Sequence, residues 1–220
     1  IAQGGDWGSL VTRRMGVKYG DRLSGVHFNM LFAQPNEGEE HLFELLTDED
    51  RASFESVGQR MTDGVGYMDI MWTKPESLTY AQTDSPAGLA GWILEKFEAW
   101  VDHDGDLYDV LSRDQLLTNL MVYWLPNSVS SSARLYYESK KAGQHATDPW
   151  HDHIDVPTGY ALYPHEMIQT PRAWAEKRYQ IVHWEKQVRG GHFAAFEQPD
   201  LFATDLWKFG RTIRGIEDKR

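Results

Sequence analysis

The chain has 220 residues, with 22 basic against 33 acidic side chains and a formal net charge of -11. Because a nucleic-acid backbone or an anionic membrane requires a basic surface, and no run of Lys or Arg exceeds two residues, this charge excludes both as the main partner. The sequence has no Cys, which excludes disulfides and thiolate chemistry, and no apolar run approaches the roughly 18 residues of a membrane-spanning helix.

The first third of the chain alternates between strand-like and helix-like segments. Residues 24–31 form a short apolar run bounded by turn residues, which predicts a buried strand. In residues 47–60, Thr47 and Asp50 have the spacing of a helix cap, and apolar side chains recur at helical intervals. A strand followed by a helix is therefore expected.

The middle of the chain is predicted to be mostly helical. Ser85 and Pro86 are typical of a helix start, and a helix is expected to follow them. Ser112 and Gln115 have the spacing of a capping box. A third helix is expected over residues 130–142, which Gly143 would end.

Strands return in the C-terminal third. Residues 154–163 and 180–184 favour strands, whereas residues 170–179 and 199–213 favour helices. The order of elements predicts an α/β sheet with a helical insertion. We expect residues 1–33 and 148–220 to form the α/β core and residues 34–147 to form the insertion.

Asp6 is the first candidate for chemistry. The glycines of Gly4-Gly5-Asp6-Trp7-Gly8 permit a sharp turn from strand to helix, which is the geometry of a nucleophile elbow with Asp in place of Ser. An ordinary glycine turn whose Asp caps the next helix fits the same spacing.

His192 is the candidate general base. It follows Gly190-Gly191, after a predicted strand and before the last helix, and a neutral imidazole there could take a proton from water. A carboxylate after the preceding strand would orient it; Glu166 has that place and is preferred over Asp155, which lies within the strand. Structural loop roles for His192 and Glu166 remain open on spacing alone.

A metal site is a weaker interpretation of the histidine-rich segment. His145, His151 and His153 lie near Asp152, but histidines two residues apart converge poorly on one ion unless they lie on a strand. We therefore expect no metal.

Seven stretches in order give the chain a family resemblance. They are GGDWGS (residues 4–9), GYMDIMWTKPESL (66–78), DSPAGLAGWILEKFEAW (84–100), LLTNLMVYW (116–124), SSARLYYE (131–138), VPTGYALYPHEM (156–167) and RGGHFAAFEQPDL (189–201). With these motifs the chain resembles epoxide hydrolases of the α/β-hydrolase fold, in particular the microsomal-type branch and its bacterial relatives. The resemblance implies the C-terminal part of that fold's sheet with an inserted helical cap.

The resemblance also implies a role for each matching residue. Asp6 corresponds to the family's nucleophile and His192 to its general base, while Glu166 corresponds to the acid that orients the base. Tyr67 and Tyr136 correspond to the two cap tyrosines that hold the epoxide oxygen, with the adjacent Tyr137 left open for the second position.

Further expectations follow from the same resemblance. The backbone N–H of Trp7 would serve as an oxyanion donor, no cofactor would be needed, and the substrates would be an apolar epoxide and water. A cytoplasmic location is expected unless a signal or anchor precedes the chain, and a homodimer is possible. Because the chain starts at Ile1, close to the elbow, we expect the N-terminal half of the fold to precede it.

Two rival functions remain compatible with the residues. A haloalkane dehalogenase also uses an Asp elbow followed by Trp, but it stabilises a leaving halide through N–H donors. A non-catalytic α/β-hydrolase scaffold is the other rival, because function resides in the site and not in the fold.

Overall fold

The computed structural model describes residues 1–62, 64–143 and 152–216. It divides the chain into two compact units. The sheet unit contains Ile1–Gly58 and the described part of Asp148–Arg220, and the helical unit contains the described part of Gln59–Thr147. No helix among the described residues has the length and apolarity to cross a bilayer.

Helices and strands follow one another in the order α/β folds require. The strands are β1 (Ala2–Gly4), β2 (Val26–Phe28), β3 (Ile154–Leu162) and β4 (Tyr179–Lys186). The helices of the sheet unit are α1 (Asp6–Tyr19), α2 (Asp48–Met61, which ends just beyond the unit's boundary), α8 (Arg172–Arg178), α9 (Ala194–Glu197) and α10 (Pro199–Thr212). Those of the helical unit are α3 (Gly66–Thr73), α4 (Glu76–Asp84), α5 (Pro86–Trp100), α6 (Arg113–Trp124) and α7 (Val129–Lys141).

The described strands form one parallel sheet in the order β1-β2-β3-β4. Parallel strands are typically covered on both faces and therefore carry apolar side chains on both. The sheet is buried on both faces, since Val26, Phe28 and Tyr160 on one face and His27 and Ala161 on the other are all fully buried. Because all strands run the same way, the loops after β1, β2 and β3 leave from one edge, where an α/β fold places its site.

The predicted boundary at residue 34 differs from the division in the structure. Residues 34–58 belong to the sheet unit. Leu42 is part of the buried cluster around the sheet, and its carbonyl accepts a hydrogen bond of 3.1 Å from the indole N–H of Trp174. The sequence predicts a mostly helical middle region and includes this segment in it, whereas tertiary contacts attach the segment to the sheet.

Local helix signals correspond closely to the observed elements. Ser85 accepts a hydrogen bond of 3.3 Å from the backbone N–H of Gly88 at the start of α5. Ser112 and Gln115 form both bonds of a capping box before α6. The strand predicted over residues 24–31 is shorter, Val26–Phe28, because the chain after Phe28 turns into the loop behind the elbow.

Candidate active site

Asp6 lies at the turn from β1 to α1, where the backbone is strained. Its φ of 47° is in the left-handed region that residues other than glycine rarely adopt. The preceding glycines allow the turn: a Cβ at Gly4 would overlap the carbonyl of Gly8, and one at Gly5 would overlap the side chain of Asn29. The turn holds the Asp6 carboxylate at the edge of the sheet, with 37 % of the side chain exposed.

Asn29 supports this turn from behind, a role that sequence analysis missed. Its backbone N–H donates to the carbonyl of Gly4 at 3.3 Å, and its side-chain oxygen accepts from the Gln3 amide at 2.8 Å. The hydroxyl of Ser9 also donates to the carbonyl of Met30. The loop after β2 thereby fixes the elbow; the one signal in the sequence is a polar residue, Asn29, inside the apolar run of residues 24–31.

His192 lies between two carboxylates. Its Nε2 is 3.0 Å from Oδ2 of Asp6, and its Nδ1 is 2.8 Å from Oε1 of Glu166. Glu166 is fully buried and His192 nearly so. The structure therefore brings together Asp6, Glu166 and His192, the three residues selected from the sequence. Asp155, the alternative acid, instead contacts His153 at the surface.

The pKa values of His192 and Asp6 depend on each other through charge and hydrogen bonding. Burial alone would lower the pKa of His192, but the charges and hydrogen bonds of Glu166 and Asp6 raise it to about 10. Burial alone would raise the pKa of Asp6, but its hydrogen bond and charge interaction with His192 hold it below its ordinary value. The site therefore favours an imidazolium between two carboxylates when it is empty.

The backbone N–H of Trp7 lies beside the candidate nucleophile. It donates to Oδ1 of Asp6 at 2.6 Å. A donor at the first turn of α1 favours negative charge on that oxygen, because the amide groups of a helix start have no partner within the helix.

Tyr67 and Tyr136 pack together within the helical unit. Their ring centroids are 6.1 Å apart, and the rings meet edge to face. Lys96 lies 4.6 Å above the Tyr67 ring. Tyr137 is exposed and has Lys141 over its ring instead. Of the two candidates for the second tyrosine, Tyr136 is therefore the one that packs against Tyr67 in this unit.

A cavity of about 400 Å³ lies in the sheet unit next to Glu166. The backbone N–H of Met167, a cavity residue, donates to Oε1 of Glu166 at 2.6 Å. The lining is mainly apolar and includes Phe32, Phe54, Val57, Met167 and Trp174. A cavity of this size and polarity is typical of sites for small apolar molecules.

Glu197 is a second residue that sequence analysis missed. It is buried, and its carboxylate accepts hydrogen bonds of 2.8 Å from the backbone N–H groups of Gly191 and Phe193. These two residues flank His192, so Glu197 contacts the loop that carries the candidate base. The only signal in the sequence is its place in the same motif, five residues after His192.

The metal interpretation has to be considered at two places. His145 and His151 of the histidine-rich segment lie outside the described residues. Elsewhere, His27, His183 and Asp205 bring three potential ligand atoms within 4.8 Å of one another. Two imidazoles and a carboxylate are ligands that divalent transition metals accept.

Hydrogen bonding explains this second cluster better than a metal does. His27 and His183 each contact one oxygen of Asp205, at 2.8 and 2.9 Å. A metal-bound imidazole normally has its other nitrogen held by a partner, whereas Nδ1 of His27 is buried and has none in the described part of the chain. We interpret the three side chains as a buried polar network, the Asp205 network, which joins β2, β4 and α10.

Comparison with known proteins supports a single family. No family model matches the chain. It is 37 % identical over 229 residues to epoxide hydrolase 1 of Oryctolagus cuniculus, a match that covers 94 % of this chain and 50 % of that protein. The chain thus spans about half the length of the curated relatives it matches.

Solved structures give the same result. The crystal structure of juvenile hormone epoxide hydrolase from the silkworm Bombyx mori superposes with a TM-score of 0.88 at 32 % identity, over 97 % of this chain and 55 % of that one. The structure of Aspergillus niger epoxide hydrolase has a TM-score of 0.80 at 31 % identity, over 96 % and 51 %. By sequence and fold, therefore, the chain belongs to the epoxide hydrolases of the α/β-hydrolase fold and corresponds to about half of their length.

Proposed function

We propose that the protein containing this chain hydrolyses an apolar epoxide to a vicinal diol through an ester on Asp6. The observation that carries the proposal is the hydrogen-bonded series Asp6–His192–Glu166, in which the strained elbow residue is a carboxylate. An Asp nucleophile makes an ester whose carbonyl carbon belongs to the enzyme. Water can therefore cleave it and restore the carboxylate.

In the first step the Asp6 carboxylate attacks one carbon of the oxirane. The bond from that carbon to the ring oxygen breaks, and negative charge develops on the oxygen. Two hydroxyl groups, which we assign to Tyr67 and Tyr136, hydrogen-bond to this oxygen, and one of them gives it a proton and becomes a phenolate. These tyrosines belong to the helical unit, which we propose as the cap.

In the second step a water molecule attacks the carbonyl carbon of the Asp6 ester. His192 takes the proton from this water while Glu166 holds its imidazole, and the Trp7 N–H stabilises the oxyanion that forms. Collapse of the intermediate breaks the bond between that carbon and the alkyl oxygen. His192 returns the proton to this oxygen and the diol leaves. The carboxylic acid left on Asp6 then passes its own proton to His192, which restores the Asp6 carboxylate and the imidazolium of the starting site.

The charges of the site suit this sequence of events. Both carboxylates hold the pKa of His192 high before the reaction, so the imidazolium carries a proton that restores the phenolate left by ring opening; in the absence of His192, water supplies that proton. Ester formation then removes the negative charge of Asp6, which lowers the pKa of His192 and favours the neutral imidazole. Alkylation itself thus prepares the base for the hydrolytic step.

An apolar substrate is supported by the cavity beside Glu166. The aromatic and aliphatic lining would stabilise a hydrocarbon substituent by burying it. Some relatives are named juvenile hormone epoxide hydrolases; for this chain we propose the broader class of apolar epoxides.

A comparison of two products tests the proposal. The full-length protein that contains this chain should convert an aryl epoxide such as styrene oxide to its diol and should release no halide from a simple haloalkane. Halide release without diol formation would instead favour the dehalogenase interpretation. If the folded protein yields neither product with substrates of varied size, the scaffold interpretation replaces the enzymatic one.

The two tyrosines provide a test of the first step. We expect replacement of Tyr67 and Tyr136 together by Phe to slow ester formation at least about 100-fold, because donors to the developing oxyanion are lost. Rapid mixing of excess enzyme with substrate measures this rate. Tyr137→Phe is the matched control and should leave the rate unchanged; an undiminished rate in the double variant would remove both residues from the mechanism.

A further inference from the structure

Glu197 differs from an ordinary surface carboxylate in what it contacts. It is 7 % exposed and lies at the last position of α9. Oε2 accepts from the N–H of Gly191, and Oε1 accepts from the N–H of Phe193, both at 2.8 Å. One rigid, planar group therefore binds a peptide N–H on each side of His192.

The same loop is also hydrogen-bonded to the segment after β3 that carries the acid. The backbone N–H of His165 donates to the carbonyl of Gly190 at 3.1 Å, and residues 165 and 191 form a parallel bridge. His165 immediately precedes Glu166. The loop of His192 is therefore held on one side by the segment of its acid partner and on the other side by Glu197.

Two bonds from one carboxylate restrict the loop more than two separate bonds would. The oxygens of the carboxylate have a fixed separation, so they hold the two N–H groups at a fixed separation as well. Bonds between an ionised acceptor and backbone N–H groups are also stronger than neutral ones. Gly190, with a φ of 109°, and the adjoining Gly191 would otherwise leave this segment with large conformational freedom.

We propose that Glu197 is a positioning residue for the hydrolytic step, which holds the loop so that His192 stays aligned between Asp6 and Glu166. The inference rests on the proposed function, because it concerns the general base of that reaction. Glu197 acts through the backbone and does not touch the reacting atoms. Attack by Asp6 does not need a precisely placed imidazole, whereas activation of water does, so the two steps should respond differently.

Glu197→Gln tests this difference. The amide keeps the size of the side chain but offers one acceptor oxygen, and its NH₂ group faces a backbone N–H, so one of the two bonds is lost. In single-turnover experiments on the full-length protein we expect an unchanged rate of ester formation and a rate of ester hydrolysis lower by about 10- to 100-fold. Hydrogen exchange in the peptide that contains residues 190–193 should accelerate.

The pH profile separates positioning from a charge effect. If Glu197 acts by geometry, the pH at which hydrolysis is half-maximal stays the same while the maximal rate falls. A downward shift of that pH would show that the charge of Glu197 supports the imidazolium, and would overturn the positioning role. Glu185 is a surface carboxylate on β4 that contacts Lys208. Glu185→Gln is therefore the matched control and should change none of these measurements.

The remaining outcomes are equally decisive. Equal losses in ester formation and hydrolysis would indicate general structural damage and contradict the inference, as would normal hydrolysis despite accelerated exchange. If Glu197→Gln does not fold, Glu197→Asp, which keeps the charge but is too short for both contacts, is measured in the same way. Absence of any ester in the unsubstituted protein would instead refute the proposed function, and this result is distinct from a failure of Glu197 alone.

Discussion

His192→Ala should convert the protein into one that reacts once and then stops. The substitution removes the general base but leaves the Asp6 carboxylate and the elbow, so we expect turnover to fall by about 10²- to 10⁴-fold while ester formation continues. Incubation with an epoxide should then add the mass of the substrate to the peptide that contains Asp6. The adduct should persist, because no group remains to activate water.

Controls distinguish this result from simple loss of structure. His153→Ala removes a half-exposed histidine that forms an ion pair with the carboxylate of Asp155. This variant should keep full turnover. Asp6→Asn combined with His192→Ala should form no adduct. An inactive His192→Ala protein with no added mass would contradict the division of the reaction into two steps.

Local signals in the sequence explain which parts of the fold could be predicted. The caps of Ser85 and Ser112 depend on residues three positions apart, so the starts of α5 and α6 are legible in the chain itself. The attachment of residues 34–58 to the sheet depends on a contact between Leu42 and Trp174, which are far apart in sequence. No periodicity carries such information, so the sequence predicts an insertion from residue 34 whereas the compact units divide after Gly58.

The candidate site divides in the same way. Asp6, Glu166 and His192 were selected because each lies after a strand or in a glycine turn, and the structure joins them by hydrogen bonds. Asn29 and Glu197 were missed because they contact backbone atoms of the elbow and of the base loop, and such contacts leave no pattern of residue types. Sequence thus selected the groups for which we propose chemistry, but not those that hold them in place.

The Asp205 network reverses the arrangement of the candidate site. In the site one imidazole lies between two carboxylates, whereas here one carboxylate lies between two imidazoles and also accepts from the Gln187 amide at 3.2 Å. Because an ionised carboxylate only accepts, Nε2 of both His27 and His183 must donate to it. Burial alone would raise the pKa of Asp205, but these donors lower it to about 2. The network thus stays charged near neutral pH inside the protein.

Removing this buried charge should cost more stability than any surface substitution. We expect Asp205→Asn to lower the free energy of unfolding by on the order of 3–5 kcal/mol, because two buried imidazoles lose their charged acceptor. The matched control is Asp155→Asn, which removes the same kind of contact, to His153, from a side chain that is 96 % exposed. That change should cost only about 0–1 kcal/mol. Urea denaturation of the full-length protein measures both values, and similar losses would show that the network is not a source of stability.

The pH dependence of the free energy of unfolding tests whether the charge of Asp205 causes this stabilisation. A carboxyl group whose pKa is lower in the folded state contributes stability above its unfolded pKa, about 3.9 for Asp. This contribution is lost as the pH falls towards the folded value of about 2. The stability difference between the unsubstituted protein and Asp205→Asn should therefore be largest at neutral pH and shrink below about pH 4. A difference that stays constant down to pH 2 would mean that Asn disturbs the packing of β2 and β4 against α10, and that the charge of Asp205 is not what stabilises the fold.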